Sequence, residues 1–275
     1  MMDGTAVNAR RGRSSVAGGV PWSKVPLVSA YFWITKVLTT GMGETASDYM
    51  VRGPGPGPVA AVMLGAAGFT AALILQFCVR RYVPWVYWLA VTMVSIFGTM
   101  AADVLHVGLG VPYEVSTAFF AFVLAALFIT WRMVEKTLSF HSIHTPRREA
   151  FYWAAVVTTF ALGTAVGDLT AVTLHLGYFA SGLVFAAALA VPALAYRFLR
   201  LGAVPAFWIA YILTRPFGAS FADWMAVSPV RGGLNWGAGP VTIVLAALIV
   251  GFVVLLALSR RDREPVLPDP DPEAS

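Results

Sequence analysis

Charge is scarce in this chain. Of 275 residues, 12% are Asp, Glu, Lys or Arg and 58% are hydrophobic, whereas a soluble domain carries about a quarter of its residues as charges. The single cysteine, Cys78, lies in an apolar run, which excludes an intrachain disulfide framework and a thiolate metal cluster. Residues 1–24 contain early arginines but no apolar stretch behind them, so a cleaved signal peptide is not expected. No connection is long enough to hold a soluble domain. The formal charge of +5 is spread over helix ends rather than gathered in one patch, which argues against a nucleic-acid partner. What remains is an all-α chain of long apolar runs.

A membrane-spanning helix needs about 20 such residues, and eight runs are read at 26–49, 58–79, 83–107, 114–134, 149–174, 178–198, 203–226 and 240–259. Glycine and proline alternate from Gly53 to Pro58, and Arg231 to Pro240 is rich in glycine; neither stretch continues a helix comfortably. Lysine and arginine set the orientation. With the N-terminus in the cytoplasm, fifteen of the 19 basic residues fall inside, and two, Arg52 and Arg231, fall outside. The other two, Lys36 and Arg215, lie within helices. The expectation is a multi-pass protein of the bacterial cytoplasmic membrane, with both termini inside and disordered tails at 1–24 and 263–275. His141 and His144 lie in the longest cytoplasmic connection, where they either bind a metal or are incidental to a solvated loop.

Against this apolar background the polar residues follow one ruler. Trp33, Trp88, Trp153 and Trp208 are each followed fifteen residues later by an aspartate: Asp48, Asp103, Asp168 and Asp223. A glycine lies five residues before each aspartate, at Gly43, Gly98, Gly163 and Gly218. The aspartates are 55, 65 and 55 residues apart, and the extra ten fall in the middle connection. Each unit is one motif helix plus one plain helix, so the chain returns to its starting side and all four motif helices run parallel. The expected architecture is therefore eight transmembrane helices in four two-helix repeats. An axis along the membrane normal relates them, and the halves are 25–136 and 137–262. Intramembrane acids are costly and point to function.

Helical geometry says what each motif helix presents. At about 100° per residue, positions +4, +7, +11 and +15 from tryptophan share one stripe. Position +7 is Thr40, Ser95, Phe160 and Arg215; position +11 is Glu44, Thr99, Thr164 and Ala219; position +15 is the aspartate. This polar stripe should face the protein interior or a water-filled cavity. The glycine at +10 lies off the stripe and permits close helix contact. The plain helices are apolar on every face and read as scaffold or lipid-facing.

The segments YFWITKVLTTGMGETASDYM, FYWAAVVTTFALGTAVGDL and FWIAYILTRPFGASFADW resemble a bacterial membrane-anchored protein family built from four tandem two-helix repeats of unknown function, each with a characteristic tryptophan. The resemblance spans roughly residues 24–262. It implies the architecture and no substrate.

If the motif helices surround one axis, Glu44, Asp48, Asp103, Asp168 and Asp223 converge, with Lys36 and Arg215 to balance them. Like charges at low dielectric do not all stay ionised, so such a group takes up protons or attracts a cation. Oxygen donors without thiolate suit hard ions such as Mn²⁺, Mg²⁺ or Ca²⁺, and Thr45, Thr99 and Thr164 could add neutral oxygens. The alternative is that each aspartate is a polar staple bonded to neighbouring backbone or threonine.

Lys36 and Arg215 read either as counter-ions that lock a carboxylate until substrate displaces them, or as structural ion pairs. Pro216 beside Arg215 removes a backbone hydrogen bond and allows a kink. His106, one turn beyond Asp103, can share a ligand or proton with it, while His175 follows Asp168 by seven residues. The tryptophans read as an interfacial anchor belt or as an inner constriction.

Three function classes follow. The expected one is a transporter or channel for a small cation, either a divalent metal or a proton-coupled ion, with the acids as its site. The others are an intramembrane redox protein holding quinone or haem, and a non-catalytic scaffold subunit. A homo-oligomer is compatible with each. No Ser–His or metal–histidine catalytic constellation is present, so an enzyme is not expected.

Overall fold

The computed structural model describes residues 23–54, 56–259 and 261–262. The C-terminal tail expected at 263–275 lies outside the described residues, as does the N-terminal tail up to residue 22. Eight α-helices carry the described chain: α1 (Ala30–Arg52), α2 (Pro58–Cys78), α3 (Pro84–Asp103), α4 (Tyr113–Glu135), α5 (Pro146–Asp168), α6 (Gly177–Phe198), α7 (Ala203–Ala226) and α8 (Ala238–Ser259). No strand occurs among the described residues.

Their starts follow local chemistry. The Ser29 side chain accepts from the Phe32 N–H, and the Thr145 side chain from the Arg148 N–H. Pro58, Pro84 and Pro146 open α2, α3 and α5, at positions where the missing N–H costs nothing. The cap at Ser29 explains why α1 starts later than residue 26. Two π-helical turns, Val104–Gly108 and Leu169–Thr173, follow directly on Asp103 and Asp168.

Six helices, α2 to α6 and α8, are long and apolar enough to cross a membrane. The other two, α1 and α7, match them in length at 23 and 24 residues. They fall short in apolarity because they hold Lys36, Glu44, Asp48 and Arg52, and Arg215 and Asp223, respectively.

Two layers result. The motif helices α1, α3, α5 and α7 pack in a closed ring, α1 on α3, α3 on α5, α5 on α7 and α7 on α1. They supply most of the buried residues, whereas α2, α4, α6 and α8 each bury only a handful. The outer helices turn Met63, Ile74, Phe122, Ile129, Leu183, Val191, Ile243 and Leu258 outward. An apolar belt of this extent fits a lipid surround. Each plain helix packs mainly on the motif helix that follows it: α2 on α3, α4 on α5, α6 on α7, and α8 back on α1. The sequence unit therefore differs from the packing unit.

The ring is keyed by its glycines. A Cβ built on Gly43 would lie 1.8 Å from Ser95 Oγ, one on Gly98 2.8 Å from Phe160 Cβ, one on Gly163 2.3 Å from Arg215 Cγ, and one on Gly218 1.9 Å from Thr40 Oγ1. In all four cases the +10 glycine of one helix receives the +7 side chain of the next. Only glycine leaves room for so close an approach.

At the tryptophan end a latch joins distant segments. Lys24 Nζ lies 2.5 Å from Glu149 Oε2, and Gln76 Nε2 donates to Glu149 Oε1 at 3.1 Å. Glu149 and Lys24 are both buried. Lys24 lies one residue before the expected start of the first half and is buried against Glu149. Nearby, the Leu27 N–H donates to the Asp262 carbonyl at 3.0 Å, and the Tyr82 hydroxyl bonds the Asp262 carboxylate at 2.5 Å.

Candidate functional site

The aspartate ends of the four motif helices meet at one cavity of about 200 Å³, lined by Glu44, Asp48, Asp103, Asp168 and Asp223. These are the five acids singled out in the sequence, one or two from each repeat. The helical register explains the convergence: position +15 lies on the stripe that the glycine contacts turn toward the ring centre.

Below this cavity Arg215 fills the middle of the ring, fully buried. Its Nη2 donates to Glu44 Oε2 at 2.5 Å, to Thr164 Oγ1 at 2.7 Å and to Thr99 Oγ1. Its Nη1 reaches the Thr40 carbonyl at 3.4 Å. Glu44, Thr99 and Thr164 are the +11 residues of the three other motif helices. The fourth +11 residue, Ala219 on α7 itself, is small enough to leave the guanidinium its space.

Thr99 and Thr164 donate their own hydroxyl protons to the Ser95 and Phe160 carbonyls, so their oxygens are committed to Arg215. Thr45 bonds Thr242 of α8 at 2.9 Å and so faces away from the cavity. None of the three hydroxyls is turned into the cavity to add a neutral oxygen beside the acids. Arg215 and Glu44 thus form a buried ion pair. Lys36, by contrast, pairs with no carboxylate among the described residues. Its ammonium sits 4.0 Å from the Phe160 ring centroid and 4.2 Å from that of Tyr211, with no hydrogen-bond acceptor among the described residues.

The tryptophan end of the ring is filled by aromatic side chains. Trp88, Trp153 and Trp208 are buried, and Trp33 is half-buried. Full burial rules out an anchor belt for the first three. The aromatic residue just before each tryptophan packs on the tryptophan of the next helix. Centroid separations are 5.6 Å for Phe32–Trp88, 5.7 Å for Tyr87–Trp153, 6.0 Å for Tyr152–Trp208 and 5.8 Å for Phe207–Trp33. The Tyr87 and Tyr152 hydroxyls are 2.6 Å apart. Along the axis the order is thus acidic cavity, Arg215, Lys36 and an aromatic floor.

Two arginines that the sequence placed in outer connections belong to this site. Arg52 bonds Asp48 at 2.7 Å and lies 3.5 Å from Asp103. Arg231 lines the same cavity and donates to the Tyr178 hydroxyl. The loop that carries Arg231 is folded back on the end of α7 by backbone bonds from Leu234 to Trp224 and from Trp236 to Met225. Gly233 lets it approach, since a Cβ there would lie 2.3 Å from the Val227 carbonyl oxygen. Tyr113 and Tyr178 complete the polar lining. Arg52 was accessible to sequence reasoning, being four residues beyond Asp48 on one helix; Arg231 and Tyr178 carried no such signal.

His106 is not itself part of the cavity lining but packs beside Asp103 and Asp168, which are, and these three can present ligand atoms within 4.8 Å of one another. His175 is exposed and outside the cavity lining, and His141 is exposed in its loop.

A family model described as Repeat of Unknown Function (DUF347) matches the chain four times, at residues 31–82, 86–137, 151–201 and 206–262. Each match takes in one motif helix and the plain helix after it. No curated protein and no solved structure matches.

Proposed function

Since the chain belongs to the DUF347 repeat family, whose description states a repeat and no activity, we propose from the cavity itself that the protein is a membrane carrier for a small cation. The observation that supports this most directly is the meeting of five carboxylates from all four repeats on one cavity of about 200 Å³. Three guanidinium groups, Arg52, Arg215 and Arg231, face or floor it. Formally the site lacks two positive charges, a deficit that one divalent ion or two protons would meet.

In this reading all eight helices span the bacterial cytoplasmic membrane. At about 1.5 Å per residue, α1 and α7 are long enough, and their charges turn inward. The motif helices run parallel about an axis along the membrane normal, in halves 25–136 and 137–262, with the tryptophan end and both termini in the cytoplasm. The cavity then opens outward. A cation bound by the aspartates competes with Arg215 for Glu44, and loosening of that pair is the step that admits the ion further. With Arg215, Lys36 and the aromatic floor in line, the state described is closed toward the tryptophan end, which suits a carrier better than an open pore.

Flux into liposomes tests the proposal. Asp103→Asn and Asp223→Asn keep side-chain shape and remove charge, and each should abolish flux while the protein stays folded. Undiminished flux with all four aspartates replaced by asparagine would end the carrier reading and leave the scaffold.

A further inference from the structure

Two of the four aspartates differ from the other two. Asp103 and Asp168 are the two aspartates followed at once by a π-helical turn, whereas α1 and α7 run past theirs to Gly53 and Val227 as ordinary helix. Such turns recur at functional sites because they re-aim side chains. Here the first one carries His106.

The imidazole is 2% exposed, and its Nδ1 lies 4.0 Å from Asp168 Oδ2. That is too long for a hydrogen bond, and Nδ1 has no other partner among the described residues. Asp103 directs one oxygen toward Arg52 at 3.5 Å, and its second oxygen is buried without a hydrogen-bond partner among the described residues. Two adjacent buried polar atoms left unsatisfied call for an explanation.

The far side of the ring supplies one. His106 Nε2 is 2.5 Å from Ser116 Oγ. The Ser116 hydroxyl proton is directed to the backbone carbonyls of Tyr113 at 3.1 Å and Pro112 at 3.3 Å. In the tautomer that keeps the Ser116 proton on those carbonyls, the serine oxygen accepts from Nε2–H and Nδ1 presents a lone pair on the carboxylate side. An outer hydrogen bond that fixes the tautomer of a ligating histidine is the usual companion of a metal site.

We propose that Asp103, His106 and Asp168 form a site for a first-row divalent transition ion, with Ser116 as the residue that positions the imidazole. The proposal rests on the cation reading of the cavity and narrows its substrate. Carboxylates alone suit Mg²⁺ or Ca²⁺, and one imidazole nitrogen shifts preference toward Mn²⁺, Fe²⁺, Co²⁺ or Zn²⁺. Ligand bonds of about 2.0–2.2 Å require the three side chains to close inward by rotation when the ion enters.

Co²⁺ titration of the purified full chain provides the test, followed by its ligand-field absorption. The protein carries no polyhistidine tag, and a His141→Ala/His144→Ala background removes the loop histidines. One equivalent is expected to bind, resisting about a hundredfold excess of Mg²⁺ because an imidazole ligand favours Co²⁺ over that oxygen-seeking ion. His106→Gln and Asp168→Asn should each weaken binding by at least about tenfold and change the spectrum. Ser116→Ala should cost roughly tenfold, and Ser116→Thr should restore it.

Unchanged Co²⁺ affinity and spectrum in both ligand variants, with thermal unfolding also unchanged, would overturn the site. So would displacement by stoichiometric Mg²⁺. Loss of Co²⁺ only in Asp48→Asn or Asp223→Asn would overturn this site and keep the carrier. Histidine-dependent Co²⁺ binding without any flux would keep the site and end the carrier.

Discussion

The Arg215–Glu44 pair lends itself to a double-mutant cycle. Arg215 is fully buried, and the Glu44 side chain is 6% exposed. Glu44→Gln leaves a buried guanidinium with neutral acceptors only and no counter-charge within 4 Å among the described residues. Arg215→Met leaves a buried carboxylate with no cation within 4 Å among the described residues. Removing one partner of a buried pair costs about 3–5 kcal/mol, so each single variant should lose that much.

The double variant removes both charges and should lose far less than the sum, with a coupling near 3 kcal/mol, the upper end for contacting residues. The threonines should matter less. Hydrogen bonds between membrane helices average about 0.6 kcal/mol and reach about 1.7, so Thr99→Val and Thr164→Val should each cost about 1 kcal/mol. The measurement is reversible unfolding in mixed micelles, followed by the fluorescence of the nine tryptophans. If the two single losses add to the double within about 0.5 kcal/mol, the pair does not form in the folded protein, and the central role given to Arg215 is wrong.

Three further outcomes are expected. Gly163→Ala must displace the Arg215 side chain, whose Cγ would be 2.3 Å from the new methyl, and should cost at least about 2 kcal/mol; Gly251→Ala in α8 meets nothing within 4 Å and should be neutral or stabilising by up to about 1 kcal/mol, as thermal unfolding of the pair will show. Glu149→Gln strands the buried Lys24 ammonium and should lower stability by about 3 kcal/mol, read in the same unfolding assay. Cys78 is exposed at the end of α2, so a membrane-impermeant maleimide should label it in inside-out vesicles and not in intact cells; the reverse result would invert the topology.

What could be read from the sequence was whatever one helix determines alone. The +15 register of the aspartates, the inward stripe and the glycines as contact points follow from helical periodicity. They hold because Asp48, Asp103, Asp168 and Asp223 do share one cavity. What escaped was neighbour identity. That Gly163 faces Arg215, that Thr99 and Thr164 point at a guanidinium rather than an ion, and that Lys36 meets rings instead of a carboxylate depend on which helix stands beside which. A signal was nonetheless overlooked. Phe32, Tyr87, Tyr152 and Phe207 put an aromatic side chain before every tryptophan, a pairing with little use in an interfacial anchor and a clear use in a continuous ring. Arg231 could not be anticipated, since it reaches the cavity through a loop whose fold depends on backbone bonds to α7.

The docking of α8 on α1, in the place that α2 takes on α3, has a topological consequence. The fold is a cycle that the polypeptide happens to write as a line. Because Leu27 and Asp262 already touch, the seam between the last and first repeats is geometrically like the connections between the others. Joining the chain there and reopening it between Glu135 and Pro146 would change the order of reading and leave every glycine with the same occupant.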